Sequence, residues 1–379
     1  MKAKSINGKS VEEIQTAFAK SISDGFTPTL AIVFMSAEQN WQAVADLLDS
    51  KDIEIFGATA QIEFTEDGIE ENGIVILLMD MNKSHFKIIL NDFEHSDAMQ
   101  AAEKVGEAGM NIFSNPAYII SGSLSDLPGE LLMDGIVNKV GSEVNIIGGM
   151  AGDVVTFSGP LFTNGKSCSQ GIISLIIDSD KIDLKGIAVS GFKPVGTEKV
   201  ITKSDGAWIQ TIDGKPAMEV IWQFIGREIE ETKISDNLIM LNTSYPLQFS
   251  RKVGKAVIRP TVMYNTETKA VYCGSSVDEG SKFRFSLPPD FEVIDAVVES
   301  SKEIKETEME EADALLIFSC VGRYSTLGPM IESENEGLAE TWGKPMAGFF
   351  SLGEFGKVKG GEVPEFHGGT CCWVALKEK

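Results

Sequence analysis

Apolar and polar positions along the chain repeat one order of elements three times. Each unit begins with an apolar strand, passes through a helical stretch to a second apolar strand, and ends after a polar turn in a third. The units span residues 29–80, 117–178 and 314–376. Strands such as 30–34 and 314–318 are apolar throughout, which is typical of a sheet covered on both faces. Self-similarity of this kind indicates one supersecondary unit used repeatedly.

The stretch between the second and third units has a different pattern. Residues 181–280 alternate apolar and polar, as in 252–258, and turn residues break them up, which favours short strands. One helix, from about Ala217 to Arg227, interrupts them. Pro288-Pro-Asp290 is a strong start signal for the helix that precedes the third unit. The patterns predict an α/β protein whose mixed parallel and antiparallel sheets are built from three related βαβ-type units, with a β-rich insert before the third.

The charge balance narrows the classes of partner. The chain has 379 residues, with 33 Lys plus Arg against 56 Asp plus Glu, and a formal net charge of −23. A negative field of that size repels phosphate backbones and acidic lipid surfaces, so we expect neither nucleic acid nor membrane as a partner. The purest apolar run, 73–79, is far shorter than the roughly 20 residues of a membrane-spanning helix. Five cysteines without a disulfide framework predict reduced thiols and a cytoplasmic location.

Sequence signatures of common catalytic sites are missing. The stretch 159–167 has five residues between its glycines where a phosphate loop has four, and its Asn164-Gly165 step favours a hairpin turn. The sequence contains no Gly-x-Ser-x-Gly, no Cys-x-x-Cys and no pair of histidines at metal spacing. We expect no catalytic activity and no metal site.

Residues beyond the first strand of the third unit are candidates for a ligand site. Open α/β sheets bind ligands at the carboxyl ends of strands, where Cys320, Arg323 and Tyr324 lie. An arginine there can clamp a carboxylate or form a salt bridge within the protein. His367, just before the last strand, can bind a metal or haem iron or move a proton. Its structural alternative is a hydrogen-bonded histidine in a turn.

Small residues followed by an acid recur after the middle strand of each unit. Glycines at such positions let a backbone approach closely or turn with positive φ, and an acid beside exposed amides can receive an ammonium group. The same recurrence fits a structural role, in which the acid satisfies one turn in each copy. The three pairs are Gly57 with Glu63, Gly148 with Asp153, and Gly348 with Glu354.

Short motifs in a fixed order carry a family resemblance. They are Gly148-Gly-Met-Ala-Gly-Asp153, Gly171-Ile-Ile-Ser-Leu, Asp213-Gly-Lys-Pro-Ala217, Cys320-Val-Gly-Arg-Tyr324, and Gly348-Phe-Phe-Ser-Leu-Gly-Glu354 with Phe366-His367 and Thr370. Together they resemble the FIST sensory domain, with its N-type and C-type parts in order over nearly the whole chain. The resemblance implies an N-type domain over 1–200 and a C-type domain over 201–379. We expect the latter to comprise a β-rich part, 201–285, and the third α/β unit, 286–379.

The resemblance also implies a function. FIST domains are proposed as cytoplasmic sensors of small ligands such as amino acids, linked to kinases, cyclases or chemotaxis modules, and some bacterial members are described as haem-binding nitric-oxide sensors. Residues 57–63 depart from the family pattern, with Gly-Ala-Thr-Ala-Gln-Ile-Glu where members often have Gly-Cys-Ser-Thr-Ala-Gly-Glu. We therefore place the ligand site mainly in the last unit. The predicted site residues are Cys320, Arg323, Tyr324, Gly353, Glu354, His367, Thr370, Gly149 and Asp153.

The leading hypothesis is a sensory input protein without its own output domain. It would bind a small ligand such as an amino acid and signal through a separate kinase or cyclase. One cation, one acid and glycine-exposed amides at strand ends suit a zwitterion, and this hypothesis needs no cofactor. Two alternatives stay open: a haem-binding nitric-oxide sensor with His367 as iron ligand, and an enzyme with Cys320 as nucleophile and His367 as base.

Overall fold

A computed structural model describes the protein over most of its length. Parts of the second unit, 117–178, and of the alternating stretch, 181–280, lie outside the described residues. So do the end of the insert helix at Arg227, the first part of the strand at 252–258, and Pro288. The described residues are 1–94, 97–123, 129–153, 158–226, 232–233, 235, 237–240, 244–251, 256–287 and 289–379.

The predicted order of strands and helices is present in the first two units. The first contains β1 (Ala3–Gly8), α1 (Val11–Ser21), β2 (Leu30–Ser36), α2 (Trp41–Asp49), β3 (Glu54–Ala60), β4 (Ile62–Thr65), β5 (Gly68–Glu71), β6 (Ile74–Met79) and β7 (Phe86–Asp92). The second contains α3 (Ala98–Ile112), β8 (Pro116–Ser123), α4 (Glu130–Val140), β9 (Ile146–Ala151), β10 (Leu161–Thr163), β11 (Lys166–Cys168), β12 (Gly171–Asp178) and β13 (Ile182–Val189).

The insert is rich in short strands, as the alternating pattern predicts. It contains β14 (Pro194–Asp205), β15 (Trp208–Ile212), β16 (Lys215–Pro216), α5 (Ala217–Ile225), β17 (Thr232–Lys233), β18 (Leu238–Met240), β19 (Leu247–Phe249), β20 (Val257–Arg259), β21 (Met263–Asn265), β22 (Val271–Tyr272) and β23 (Lys282–Ser286). The third unit follows with α6 (Phe291–Thr307), β24 (Ala314–Cys320), α7 (Val321–Leu327), α8 (Ile331–Trp342), β25 (Met346–Ser351), β26 (Glu354–Gly356), β27 (Glu365–His367) and β28 (Cys371–Glu378).

Three sheets share one central arrangement, and we call them sheets I, II and III after their units. In each, the first strand of the unit lies between the middle strand, to which it is parallel, and the closing strand, to which it is antiparallel. The central orders are β6-β2-β3 in sheet I, β12-β8-β9 in sheet II and β28-β24-β25 in sheet III. The α/β class with mixed sheets is confirmed.

Each unit also donates a hairpin to a neighbouring sheet. Hairpin β4–β5 of the first unit pairs with β25 in sheet III, hairpin β10–β11 of the second pairs with β3 in sheet I, and hairpin β26–β27 of the third pairs with β9 in sheet II. The Asn164-Gly165 turn is therefore a hairpin, as predicted, but its strands extend sheet I. The exchange is cyclic, so each sheet is completed by residues from another unit.

A phenylalanine of each donated hairpin lies opposite a glycine of the middle strand that receives it. At Gly57 and Gly348 a Cβ atom would overlap the facing ring, so these glycines make room for an aromatic side chain on the pleated surface. The recurring glycines of the sequence thus serve the exchange of hairpins. The opposed pairs are Phe64 with Gly348, Phe162 with Gly57, and Phe355 with Gly148.

The inner faces of the three sheets enclose a common core. Phe34 of sheet I lies 4.8 Å from Phe349 and 5.9 Å from Phe318 of sheet III, between ring centroids, and Ile119 of sheet II joins the same cluster. The helices cover the outer faces: α1 and α2 on sheet I, α3 and α4 on sheet II, and α6 and α8 on sheet III. This accounts for strands that are apolar on both sides.

The insert packs beside sheet II through a buried arginine. Arg259 on β20 donates from Nη1 to the Phe366 carbonyl at 2.8 Å and from Nη2 to Oε1 of Glu130 at 2.9 Å. It therefore links the insert to the first turn of α4 and to β27. The predicted boundary at residue 200 falls inside β14, and β13 pairs with β28 of the third unit. In the part of the chain that the structure describes, no helix is both long and apolar enough to cross a bilayer.

Candidate functional site

Glu354 is the first residue of β26, where the donated hairpin meets sheet II. It lies opposite Gly149 on β9 and opposite His367 on β27. The preceding residue, Gly353, has φ +142°, and a Cβ there would overlap the ring of Phe366. Only glycine fits this turn without strain, and the turn delivers Glu354 to the sheet.

The Glu354 carboxyl is completely buried and hydrogen-bonded. Ser351 Oγ donates to Oε1 at 2.6 Å, and Thr370 donates to Oε2 from its hydroxyl at 2.7 Å and from its backbone N–H at 3.2 Å. These donors favour the carboxylate, but burial outweighs them and raises the pKa of Glu354 to about 8. At neutral pH the group is therefore mostly protonated.

The His367 imidazole is buried and has a defined tautomer. Its Nε2 lies 3.0 Å from the Gly356 carbonyl oxygen, and because a carbonyl can only accept, Nε2 carries the hydrogen. Burial lowers the pKa of His367 to about 4, so the ring is neutral. Nδ1 consequently presents a lone pair, for which the described residues offer no hydrogen-bond partner.

Glu354 and His367 project from the same face of the hairpin. Residues directly opposite each other in an antiparallel pair have Cβ atoms about 4.5–5.5 Å apart and share a face. The register therefore makes Glu354, whose carboxyl is protonated, the direct cross-strand neighbour of His367, whose Nδ1 lone pair has no partner among the described residues. This pair can receive a group that carries several N–H or O–H donors.

Cys320 lies against this pair at the end of β24. Its backbone N–H donates to the Thr370 carbonyl at 2.9 Å. Burial, and then the nearby Glu354, raise the pKa of the Cys320 thiol to about 12. A thiol of that pKa is a poor nucleophile at neutral pH, and this argues against the Cys320–His367 enzyme hypothesis.

We expect Cys320 to resist alkylation in the folded protein. At pH 8 iodoacetamide should modify Cys320 only after unfolding. The half-buried Cys168 is the internal comparison and should be modified to a greater extent than Cys320 in the native protein. Peptide mass spectrometry of native and denatured samples measures both. Rapid native labelling of Cys320 would revive the nucleophile hypothesis.

Arg323 is fully committed within the protein. It pairs with Glu334 through Nε at 3.3 Å and through Nη2, and Nη1 donates to the Ser190 carbonyl at 2.7 Å. Further contacts reach the carbonyls of Gly369 and Val293, and both members of the ion pair are completely buried. The sequence allows Arg323 to clamp a ligand carboxylate or to form a salt bridge within the protein, and the structure shows the salt bridge.

Two other predicted residues lie apart from the Glu354–His367 pair. Tyr324 is partly exposed and donates its hydroxyl to Oε1 of Glu71 at 2.7 Å. Asp153 lies beyond β9 and is bridged to Ser158, where its N–H meets the Ser158 carbonyl at 2.9 Å. The structure brings together the remaining predicted residues around the pair: Gly149, Cys320, Gly353, Glu354, His367 and Thr370.

The recurring acids are not equivalent in all three units. Glu63 and Glu354 each precede the phenylalanine that faces a glycine, and the corresponding residue of the second hairpin is Leu161. Asp153 precedes that hairpin, so the predicted equivalence of Asp153 with Glu63 and Glu354 is wrong. Glu63 is completely buried, and burial raises its pKa well above the usual value although the Gly73 backbone N–H lowers it in part.

Sequence reasoning missed two residues that fix this region. Ser351, which hydrogen-bonds Glu354, lies within the motif Gly348–Glu354, but the sequence gives no sign of its role. Glu334 occupies the apolar face of α8, because Ile331, Glu334 and Leu338 are spaced three and four residues apart and all are buried. An acid on an apolar helical face is the signal that predicts a buried partner such as Arg323.

The stability of the protein should depend on pH through Glu354. Its pKa is raised from 4.5 to about 8, so the folded state keeps a proton that the unfolded state releases between those values. This stabilisation is present below about pH 4.5 and is lost as the pH rises toward 8. His367, with its pKa lowered from 6.5 to about 4, destabilises the fold as the pH falls below 6.5.

The Glu354→Gln variant separates these contributions. Denaturant unfolding from pH 5 to 9 should show a shallower decline for the variant than for the wild type, with the difference levelling off above about pH 8. A residual decline is expected from Glu63, whose pKa is raised in the same direction. Identical slopes in both proteins would show that Glu354 ionises normally.

The described residues do not fit a haem at His367. The ring is almost completely buried, its Nε2 is used by the Gly356 carbonyl, and the three described clefts are lined by other residues. No cluster of three or more potential metal ligands occurs in the described parts of the chain. Haem binding stays a prediction that this geometry does not favour.

Two uncharacterized mycobacterial proteins are similar in sequence to this chain. The uncharacterized protein Mb0898c of Mycobacterium bovis is 25% identical over 255 residues, covering 62% of this chain and 58% of that protein. The uncharacterized protein MT0656 of Mycobacterium tuberculosis is 23% identical over 264 residues, covering 65% of this chain and 62% of that protein. The matches thus span about three fifths of these relatives.

Family matches cover most of the chain. Residues 29–215 match the FIST N domain and residues 217–357 match the FIST C domain. FIST domains are sensory domains of signal transduction. The chain therefore belongs to the FIST family, with an N domain followed by a C domain.

Proposed function

We propose that this protein is a signal-input protein that binds a small ligand at the Glu354–His367 pair, and that the ligand offers an ammonium group, as an amino acid does. One observation carries the proposal: the buried Nδ1 lone pair of His367 has no partner among the described residues, and the cross-strand neighbour of His367 is the protonated Glu354. Burying an acceptor without a hydrogen bond costs about 1–3 kcal/mol. A ligand that donates a hydrogen bond to Nδ1 removes that cost when it binds.

An ammonium group suits both members of the pair. Nδ1 can accept one of its hydrogens, and the ionised Glu354 carboxylate can balance its charge. Ser351 and Thr370 already donate to that carboxylate, so little rearrangement is needed when it loses its proton. Binding should therefore release a proton at neutral pH, and affinity should increase as the pH rises toward about 8.

The buried position of the pair fits a sensor. A ligand that reaches completely buried side chains must shift the elements that cover them. The ligand then changes the equilibrium between the closed and the shifted conformation by the difference between its binding free energies for the two. We assign the output to a separate protein such as a kinase or a cyclase. The cytoplasmic location belongs to the same proposal.

A panel of amino acids and their N-acetylated counterparts tests the ammonium requirement. We expect one or more amino acids to raise the Tm, with no rise for the matched acetylated compound. Calorimetry in two buffers of different ionisation enthalpy should reveal the released proton. Glu354→Gln and His367→Asn should abolish the effect, while Tyr324→Phe, at a residue outside the pair, should preserve it. Equal effects of acetylated and free amino acids, or no effect of any, would refute the proposal.

A further inference from the structure

The turns of two donated hairpins close the start of the neighbouring middle strand. In sheet I, Asn164 Oδ1 accepts a hydrogen bond from the Ile55 N–H at 2.9 Å. In sheet III, Glu66 Oε2 accepts one from the Met346 N–H, also at 2.9 Å. Each of these amides precedes by two residues the glycine that faces a phenylalanine. A side-chain oxygen of another unit therefore satisfies a strand-end donor in both sheets.

The corresponding amide of sheet II belongs to Ile146, two residues before Gly148. On the side of β8, the Tyr118 N–H donates to the Asn145 carbonyl at 2.9 Å, and consecutive N–H groups of a strand point to opposite sides. The Ile146 N–H therefore points toward the third hairpin. Among the described residues no side chain accepts a hydrogen bond from it.

A cleft occupies this position. The third hairpin joins its strands through residues 357–364, where the other two hairpins use two-residue turns. The cleft has a volume of about 260 Å³ and is lined by Ile146, by residues 184–187 of β13, by residues 357–361 and by the end of α6. One water molecule takes up only about 30 Å³. The longer connection thus leaves open the space that a side-chain oxygen fills in the other two sheets.

The charges around the cleft favour an anion. Lys185, Lys357 and Lys359 line it together with Glu303 and Glu308, so lysines outnumber acids in a protein whose net charge is −23. Lys359 and Lys185 are paired with the two glutamates at 2.7 Å and 3.1 Å. Lys357 makes no ion pair with the described residues, so its charge is available to a ligand.

We propose that this cleft binds the carboxylate of a small organic anion. One carboxylate oxygen takes the place that Asn164 Oδ1 and Glu66 Oε2 occupy in the other sheets and accepts from the Ile146 N–H. Lys357 supplies the compensating charge, since hydrogen bonds to a carboxylate are stronger when the donor is also cationic. The cleft lies at the start of β9, and the Glu354–His367 pair faces the middle of that strand, so the two sites are separate.

Selective ¹⁵N-isoleucine labelling provides the test. The full-length protein is titrated with sodium succinate, and with sodium chloride at matched ionic strength, and the Ile146 amide signal is assigned by its loss in Ile146→Val. We expect a saturable shift of this signal with succinate alone. Lys357→Gln should weaken binding about tenfold, which corresponds to about 1.4 kcal/mol, and Lys51→Gln, at a lysine remote from the cleft, should leave it unchanged.

The proposal is overturned by an Ile146 signal that succinate does not shift, by an equal shift with chloride, or by an unchanged affinity in Lys357→Gln. The outcome is independent of the Glu354–His367 site. Succinate carries no ammonium group, and Glu354→Gln should not alter the Ile146 titration. Loss of the Ile146 shift in Glu354→Gln would show that succinate binding depends on the Glu354–His367 pair, and would contradict the assignment of a separate site to the cleft.

Discussion

Replacing Arg323 with methionine is expected to lower the free energy of unfolding by about 3–5 kcal/mol. The substitution leaves the Glu334 carboxylate completely buried, with the Ser319 hydroxyl at 3.1 Å and the Cys371 thiol as neutral donors and no cation among the described residues to balance its charge. It also removes the hydrogen bond to the Ser190 carbonyl, which joins the end of β13 to α7. Denaturant unfolding monitored by circular dichroism measures the loss.

Two further variants separate a structural ion pair from a ligand clamp. Arg323→Met combined with Glu334→Met should recover most of the lost stability, because apolar residues of similar volume replace a buried pair at little cost. Arg251→Met should cost less than about 1 kcal/mol, since Arg251 and Glu365 form a partly exposed pair. If Arg323→Met unfolds like the wild type but no longer binds ligand, the clamp that the sequence suggested is correct.

The order of strands within each unit could be predicted because it depends on local pattern. Four or more consecutive apolar residues, a helical period and polar turns act within about 60 residues of chain, and the parallel central pairs follow from the βαβ connection. The partners of the donated hairpins could not be predicted. Nothing in residues 62–71 indicates that β4 pairs with β25, almost 300 residues away.

The glycines and acids of the candidate site show where sequence spacing misleads. The recurrence of Gly57, Gly148 and Gly348 was visible, and each of these glycines lies opposite a phenylalanine of a donated hairpin. A Cβ would overlap that ring at Gly57 and Gly348 and a backbone carbonyl oxygen at Gly148, so the recurrence marks close packing and not the approach of a ligand. Counting residues after these glycines matched Asp153 to Glu63 and Glu354, because the longer connection in the second unit displaces its hairpin. Hydrogen bonding, which sequence cannot specify, determines which His367 nitrogen is free.

The exchange of hairpins predicts that the two halves of the chain cannot fold alone. A fragment of residues 1–205, which ends with β14, lacks β26–β27 at the edge of sheet II. It also lacks β24, β25 and β28, the central strands of sheet III, which join its own β13 to its own hairpin β4–β5. It also loses Phe318 and Phe349 from the common core. Removing one buried phenylalanine side chain costs about 3–5 kcal/mol, so the loss of these two alone is comparable to the whole stability of an ordinary domain, about 5–15 kcal/mol.

We therefore expect fragments 1–205 and 206–379 each to lack a cooperative thermal transition and dispersed methyl resonances, and to regain both when they are co-expressed. The break lies at Gly206, in an exposed turn with positive φ. The matched control is full-length protein cleaved at the same bond through an inserted protease site, which should keep its transition because every hairpin still has its sheet. A cooperative transition in isolated 1–205 would mean that the N domain completes its own core, and the exchanged hairpins would then be edge additions that it can do without.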